Sequence, residues 1–137
     1  MNLTQYLAEN PVNDLEEKIF ISDRFKDEKG KAALFTIKIM TSKEHSSYQK
    51  EATRINARAK DVKFDNDIFN KLIVINHCVD PNLKDAASIK KAGCTTPEQF
   101  ADKCLKAGEL QTIATAVMEL SGFSNDINKE IDEVKNS

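Results

Sequence analysis

Residues 18–40 read KIFISDRFKDEKGKAALFTIKIM. The side chains alternate with a period of two. Ile19, Ile21 and Phe25 point one way, and Phe20, Ser22 and Arg24 the other. Further on, Phe35, Ile37 and Ile39 alternate with Leu34, Thr36, Lys38 and Met40. The polar run KDEKGK between them holds Gly30, which can take the positive φ a tight turn requires. Two alternating runs flanking such a turn predict a β-hairpin. A lone hairpin is marginal in water, so its apolar face needs helices to rest on. The stretch therefore decides for an α+β fold.

The helices follow from caps and periodicity. Thr41 and Glu44 have capping-box spacing and open a helix expected over 42–59, with Tyr48, Ala52, Ile55 and Ala59 as its buried stripe. Asp65 or Asp67 caps a second over 66–79, where Ile68, Leu72, Ile75 and Val79 recur and Phe69 and Ile73 widen the face. Pro81 ends it. A short helix over 83–91 stops at Gly93. Thr96-Pro97-Glu98-Gln99 starts another over 97–106, facing inward with Phe100, Cys104 and Leu105. Gly108 breaks the chain before a last helix over 109–121, lined by Leu110, Ile113, Ala114 and Val117 and closed by Gly122 and Phe123. A strand near 62–64 is a candidate cover for one hairpin edge. The expected architecture is predominantly helical, with an N-terminal hairpin packed on a bundle of about five helices. Residues 1–14 form an arm, 15–123 a single globular domain, and 124–137 an amphipathic tail.

Composition narrows the function classes. The chain has 137 residues, 40% hydrophobic and 31% charged, enough for one core and unlike a disordered chain. Its net charge of −2 creates no field that would gather nucleic acid or anionic lipid. No apolar run approaches the roughly 18 residues needed to span a bilayer. The opening MNLTQYLAENP lacks the basic cluster and apolar core of a secretory signal, so a cytosolic location is expected.

Candidate chemistry is sparse. Cys78, Cys94 and Cys104 lack CxxC or zinc-knuckle spacing. His77 and Cys78 are neighbours on the expected helix and point about 100° apart, so they are poorly placed to share a metal. Packing is the preferred role for these thiols. A Cys–His nucleophile or metal domain using His77 is the sharper alternative, with His45 on an exposed first turn as the only other imidazole. Lys50, Arg54 and Arg58 form a basic stripe on the expected 42–59 helix. That stripe is either a solvated face or a nucleic-acid-contacting one, and the negative net charge favours solvent. No nucleotide loop, HExxH or GxSxG motif is present. No catalytic residue, cofactor or metal is expected.

Three successive blocks carry a resemblance: SDRFKDEKGKAALFTIKIMTSKE, VDPNLKDAASIKKAGCTTPEQF and LKAGELQTIATAVMELSGF. In order and spacing they resemble the XkdN-like phage tail assembly chaperones of contractile-tailed phages and phage-derived particles of Gram-positive bacteria. Arg24-Phe25-Lys26-Asp27 with Gly30 resembles that family's hairpin. Pro81-Asn82-Leu83-Lys84-Asp85-Ala86 resembles its proline corner, and Glu119-Leu120-Ser121-Gly122-Phe123 the close of its last helix. Ala107, Leu110 and Ser121 depart from the residues common there, which touches packing and capping only. The resemblance implies a non-enzymatic protein of the host bacterial cytoplasm. It would bind the tape measure protein, keep it soluble until tube subunits assemble, and be absent from the mature tail. The tail tube protein and further copies of this chain, in rings or spirals, are the other partners it leaves open. Neither membrane nor nucleic acid is implied.

Such work needs apolar surface held among charge. The sequence offers Ile127, Ile131 and Val134 in the tail, Leu3, Tyr6 and Leu7 in the arm, and the open edges of the hairpin.

Overall fold

The computed structural model describes residues 2–12 and 15–123. Helix α1 (Leu3–Glu9) precedes β1 (Glu16–Phe20) and β2 (Leu34–Lys38). Then come α2 (Ser42–Ala52), β3 (Thr53–Asn56), β4 (Asp61–Phe64) and α3 (Asn66–His77). The order continues with β5 (Cys78–Asp80), α4 (Ala86–Lys91), α5 (Pro97–Cys104) and α6 (Ala107–Leu120). The fold is α+β.

β1 and β2 pair antiparallel, with Lys18 opposite Thr36 and Phe20 opposite Leu34. The connection between them is long and holds its own turn. The Asp27 carboxylate accepts from the Lys29 and Lys31 amides, and Gly30 takes φ +78°. β5 adds on the other side of β2, giving the order β1-β2-β5 with an irregularity between Thr36 and Ile37. Phe35 and Ile37 face the helices and are buried, while Phe20 and Leu34 face outward. α3 carries the broadest apolar surface, burying Phe69, Ile73, Val74 and Ile75. It packs between α2, α5 and α6, and α6 also covers β2 with Ile113, Ala114 and Val117 in the core.

Several sequence expectations are corrected. The helix expected over 42–59 ends at Ala52, and its stripe stops at Tyr48 and Ala52. The Thr53 hydroxyl donates to the Gln49 carbonyl, and the chain turns extended at β-branched Thr53. Asn56 then accepts from the Arg58 and Ala59 amides, and Lys60 adopts φ +50°. These contacts fold 53–64 into a second hairpin, β3 with β4, so the 62–64 strand does not cover β1 or β2. The helix expected over 66–79 stops at His77, because Cys78–Asp80 is drawn into the sheet as β5. The short helix expected over 83–91 begins only at Ala86, where the Asp85 carboxylate caps Ser88. Gly108 lies within the first turn of α6; the break falls at extended Leu105 and Lys106 instead.

Two buried polar clusters tie these elements together. In the first, Glu109 on α6 is only 5% exposed. Its carboxylate accepts from Arg24 Nε at 3.0 Å and Nη2 at 2.5 Å, from Ser22 Oγ at 2.7 Å, and from the Lys106 amide at 2.8 Å. Arg24 also donates to the Cys104 carbonyl at 2.6 Å and lies over the Phe25 ring. The guanidinium does most to hold the Glu109 pKa down at about 2; burial opposes it, and the Lys106 amide and Ser22 hydroxyl reinforce it.

In the second cluster, His77 is completely buried and Tyr48 Oη lies 2.9 Å from its Nε2. Glu44 stands 3.7 Å from the same nitrogen, and Nδ1 has no hydrogen-bond partner. Burial lowers the His77 pKa more than Glu44 raises it, so the ring is neutral at pH 7. The Tyr48 phenol, pushed up to about 12 by burial and by nearby Glu44 and Glu51, stays protonated and donates to Nε2.

Folding lowers the proton affinity of both His77 and Glu109, so the unfolded chain takes up protons first as pH falls. Stability should be full above pH 6.5. It should decline below that as His77 resists charging, and again between 4.5 and 2 as the Glu109 cluster is protonated. Urea midpoints measured across pH test this. His77→Gln should flatten the upper decline. Glu109→Gln should shrink the lower one without abolishing it, since Glu44 and Asp85 titrate there too. At pH 7, Tyr48→Phe leaves His77 Nε2 unsatisfied and should cost about 1–3 kcal/mol of unfolding free energy.

Candidate functional site

α1 is built to be a helix. Asn2 Oδ1 accepts from the Thr4 and Gln5 amides, and Asn10 Nδ2 donates to the Tyr6 carbonyl at the other end. Pro11 restricts Asn10 and ends it. Leu3, Tyr6 and Leu7 share one face at helical spacing, yet they are 71%, 48% and 69% exposed, and no residue of α1 is buried. The sequence placed these residues on a common face, and among the described residues that face is largely exposed. Ile127, Ile131 and Val134, the tail candidates, lie outside the described residues.

A second open apolar surface was not anticipated. In the β3–β4 hairpin, Thr53 stands opposite Phe64 and Ile55 opposite Val62, while Arg54 faces Lys63. Strand alternation therefore puts Ile55, Val62 and Phe64 on one face and the basic pair on the other. Ile55, Val62 and Phe64 are 76%, 65% and 48% exposed. The signal is the two-residue spacing of Thr53 with Ile55 and of Val62 with Phe64, but Ile55 also fits the helical period of α2. The same error spread Lys50, Arg54 and Arg58 along one helix. They instead belong to α2, β3 and the turn after it, so no basic helical stripe exists.

The cysteine–histidine alternative finds no geometry. His77 is engaged by Tyr48, and the Cys78 thiol donates to the Pro81 carbonyl at 3.2 Å, so the neighbours are turned to different partners. Burial, with help from Asp80, pushes the Cys78 thiol up to about 12, far from the thiolate that nucleophilic or metal chemistry uses. All three cysteines are free, and Cys94 and Cys104 are half-buried. His45 is no exposed imidazole either. It packs edge-on against Phe69 and at 4.7 Å from Phe123. Among the described residues no cluster of His, Cys, Asp or Glu could hold a metal ion, and no helix is long and apolar enough to cross a membrane. Chemically, the arrangement offers apolar surface amid charge.

Comparison with known proteins agrees in kind. The chain is 24% identical to the phage-like element PBSX protein XkdN of Bacillus subtilis strain 168, over 98% of this chain and 94% of that one. It is 26% identical to the uncharacterized protein YqbN of the same strain, over 98% of this chain and 93% of that one. The crystal structure of YqbN shares the fold, with a TM-score of 0.71 at 22% identity over 90% of this chain and 98% of that one. The model of the phage XkdN-like tail assembly chaperones matches residues 3–135, and this chain belongs to that family.

Proposed function

We propose that this chain binds the tape measure protein of its phage or phage-like particle in the host cytoplasm, keeps it soluble while tube subunits assemble, and leaves before the tail is mature. The open apolar face of α1 is the observation that carries this reading. A protein with nothing to grip would fold such a stripe onto its own core; here Leu3, Tyr6 and Leu7 are left out in solvent on a capped helix. Burying one such side chain is worth about 1.5–3 kcal/mol. Three of them, less the cost of association, give a weak and reversible contact. Reversibility is what a temporary escort requires, and many copies along one long client add avidity. Ile127, Ile131 and Val134 recur at i, i+4 and i+7, also a helical spacing, and are proposed as a second contact of this type.

Co-expression with the cognate tape measure protein tests the proposal. The soluble yield of the client should rise, and the two should elute together on size exclusion. Leu3→Ser with Leu7→Ser should leave thermal unfolding unchanged, because neither residue is buried, and weaken the complex by roughly 10- to 100-fold. An unchanged client yield with the wild-type chain would overturn the proposal.

A further inference from the structure

The β3–β4 hairpin carries an apolar face that is largely exposed and meets Phe69 at its Phe64 end, with Arg54 and Lys63 on the other face and Arg58 and Lys60 in the turn. Two-stranded hairpins are marginal in water without a covered face. Residues 53–64 hold Arg54, Arg58, Lys60 and Lys63 against Asp61 alone. Beside Thr53 and Ile55, a groove of about 490 Å³ runs along α2, lined by Ser46, Gln49 and Lys50. Lys50 therefore adds a further cation on the apolar side.

The place where the described chain reaches its last residue bears on the occupant. α6 closes with Gly122 at φ +97° and the Phe123 amide donating to the Met118 carbonyl at 2.9 Å. Phe123 then packs 4.7 Å from His45 on α2. His45 meets Phe69 at 5.6 Å, and Phe69 meets Phe64 of the hairpin at 5.2 Å. This line of rings leads from the point of exit to the base of the hairpin's apolar face. The sequence that follows, SNDINKEIDEVKNS, sets Asp126, Glu130, Asp132 and Glu133 against Lys129 and Lys135. Its apolar residues are Ile127, Ile131 and Val134, at i, i+4 and i+7.

We propose that residues 124–137 are the occupant: as an amphipathic helix they seat Ile127, Ile131 and Val134 on Phe64, Val62 and Ile55, with the acidic residues toward Lys50 and the turn cations Arg58 and Lys60. The dimensions agree. The stripe from Ile127 to Val134 is about 10 Å long on a helix, and the hairpin face from Phe64 to the Ile55–Val62 pair, with Phe69 beyond it, is of the same order. Opposite charge favours the pairing, since four carboxylates outnumber two lysines in the segment and four cations outnumber one carboxylate in the hairpin. The inference concerns the chain without a client, in which these three residues rest on the hairpin until a client displaces them, and exchange measured on the free protein tests it apart from the proposed function.

Hydrogen exchange read by mass spectrometry on the free protein tests it. Removing residues 124–137 should speed exchange of the 53–64 amides at least about fivefold while leaving α3 and α6 unchanged. Ile127→Ser, Ile131→Ser and Val134→Ser together in the full-length chain should do the same, and a synthetic 124–137 peptide added to the shortened chain should restore protection. Protection in the full-length chain should not vary between about 1 and 100 µM, as expected of an intramolecular contact. Equal exchange with and without the segment would overturn the proposal. So would protection that rises with protein concentration, which would assign the face to a second copy.

Discussion

The Glu109 carboxylate is where the two halves of this fold are joined. It is buried at the first turn of α6, and a buried carboxylate is tolerable only when its lone pairs are met. Ser22 and Arg24 reach it from the connection after β1, and the Lys106 amide meets it from its own helix start. One side chain thus caps a helix, pins the long β1–β2 connection against the α5–α6 joint, and anchors the guanidinium that also holds the Cys104 carbonyl. The sheet's inner residues, Phe35 and Ile37, then meet α6 at a fixed distance. Hydrophobic burial supplies the driving force, but it is non-directional. The carboxylate supplies the register.

Local signals were legible in the sequence, and long-range ones were not. The β1–β2 pairing, Gly30, the Thr41–Glu44 box and the Thr96–Pro97 start all rest on residues within a few positions of each other, and each stands where periodicity and capping put it. Ile55 could not be placed that way, because i+7 of a helix and i+2 of a strand are both satisfied by the same apolar residue. Thr53 decided it by turning its hydroxyl back on Gln49. Cys78 and Val79 looked like the end of α3 because nothing local says that β2 lies within reach to pair with them. Arg24 and Glu109 stand 85 residues apart in the sequence; that they meet depends on the whole topology. The arm was legible as an apolar stripe, but exposure is a property of the fold, and no spacing in LTQYLAE reveals it.

The functional reading follows from where apolar surface is left over. The core is satisfied by the sheet and by α2, α3 and α6. Two small elements, α1 and the β3–β4 hairpin, stand apart from it with their apolar faces outward. Neither is large enough to drive tight association alone. Membership of the tail assembly chaperones and this distribution of surface are mutually consistent.

The sequence separations within the core have a consequence for how the protein is made. β1 and β2 are complete early in translation, but the residues that cover them are not. Met40 donates to the Ser121 hydroxyl across 81 positions, and Arg24 waits for Glu109 across 85. A nascent chain leaving the ribosome must therefore carry its hairpin uncapped until α6 has been made, a non-local order that slows folding and lengthens the aggregation-prone interval. A member of the tail assembly chaperones thus itself begins life with apolar surface uncovered.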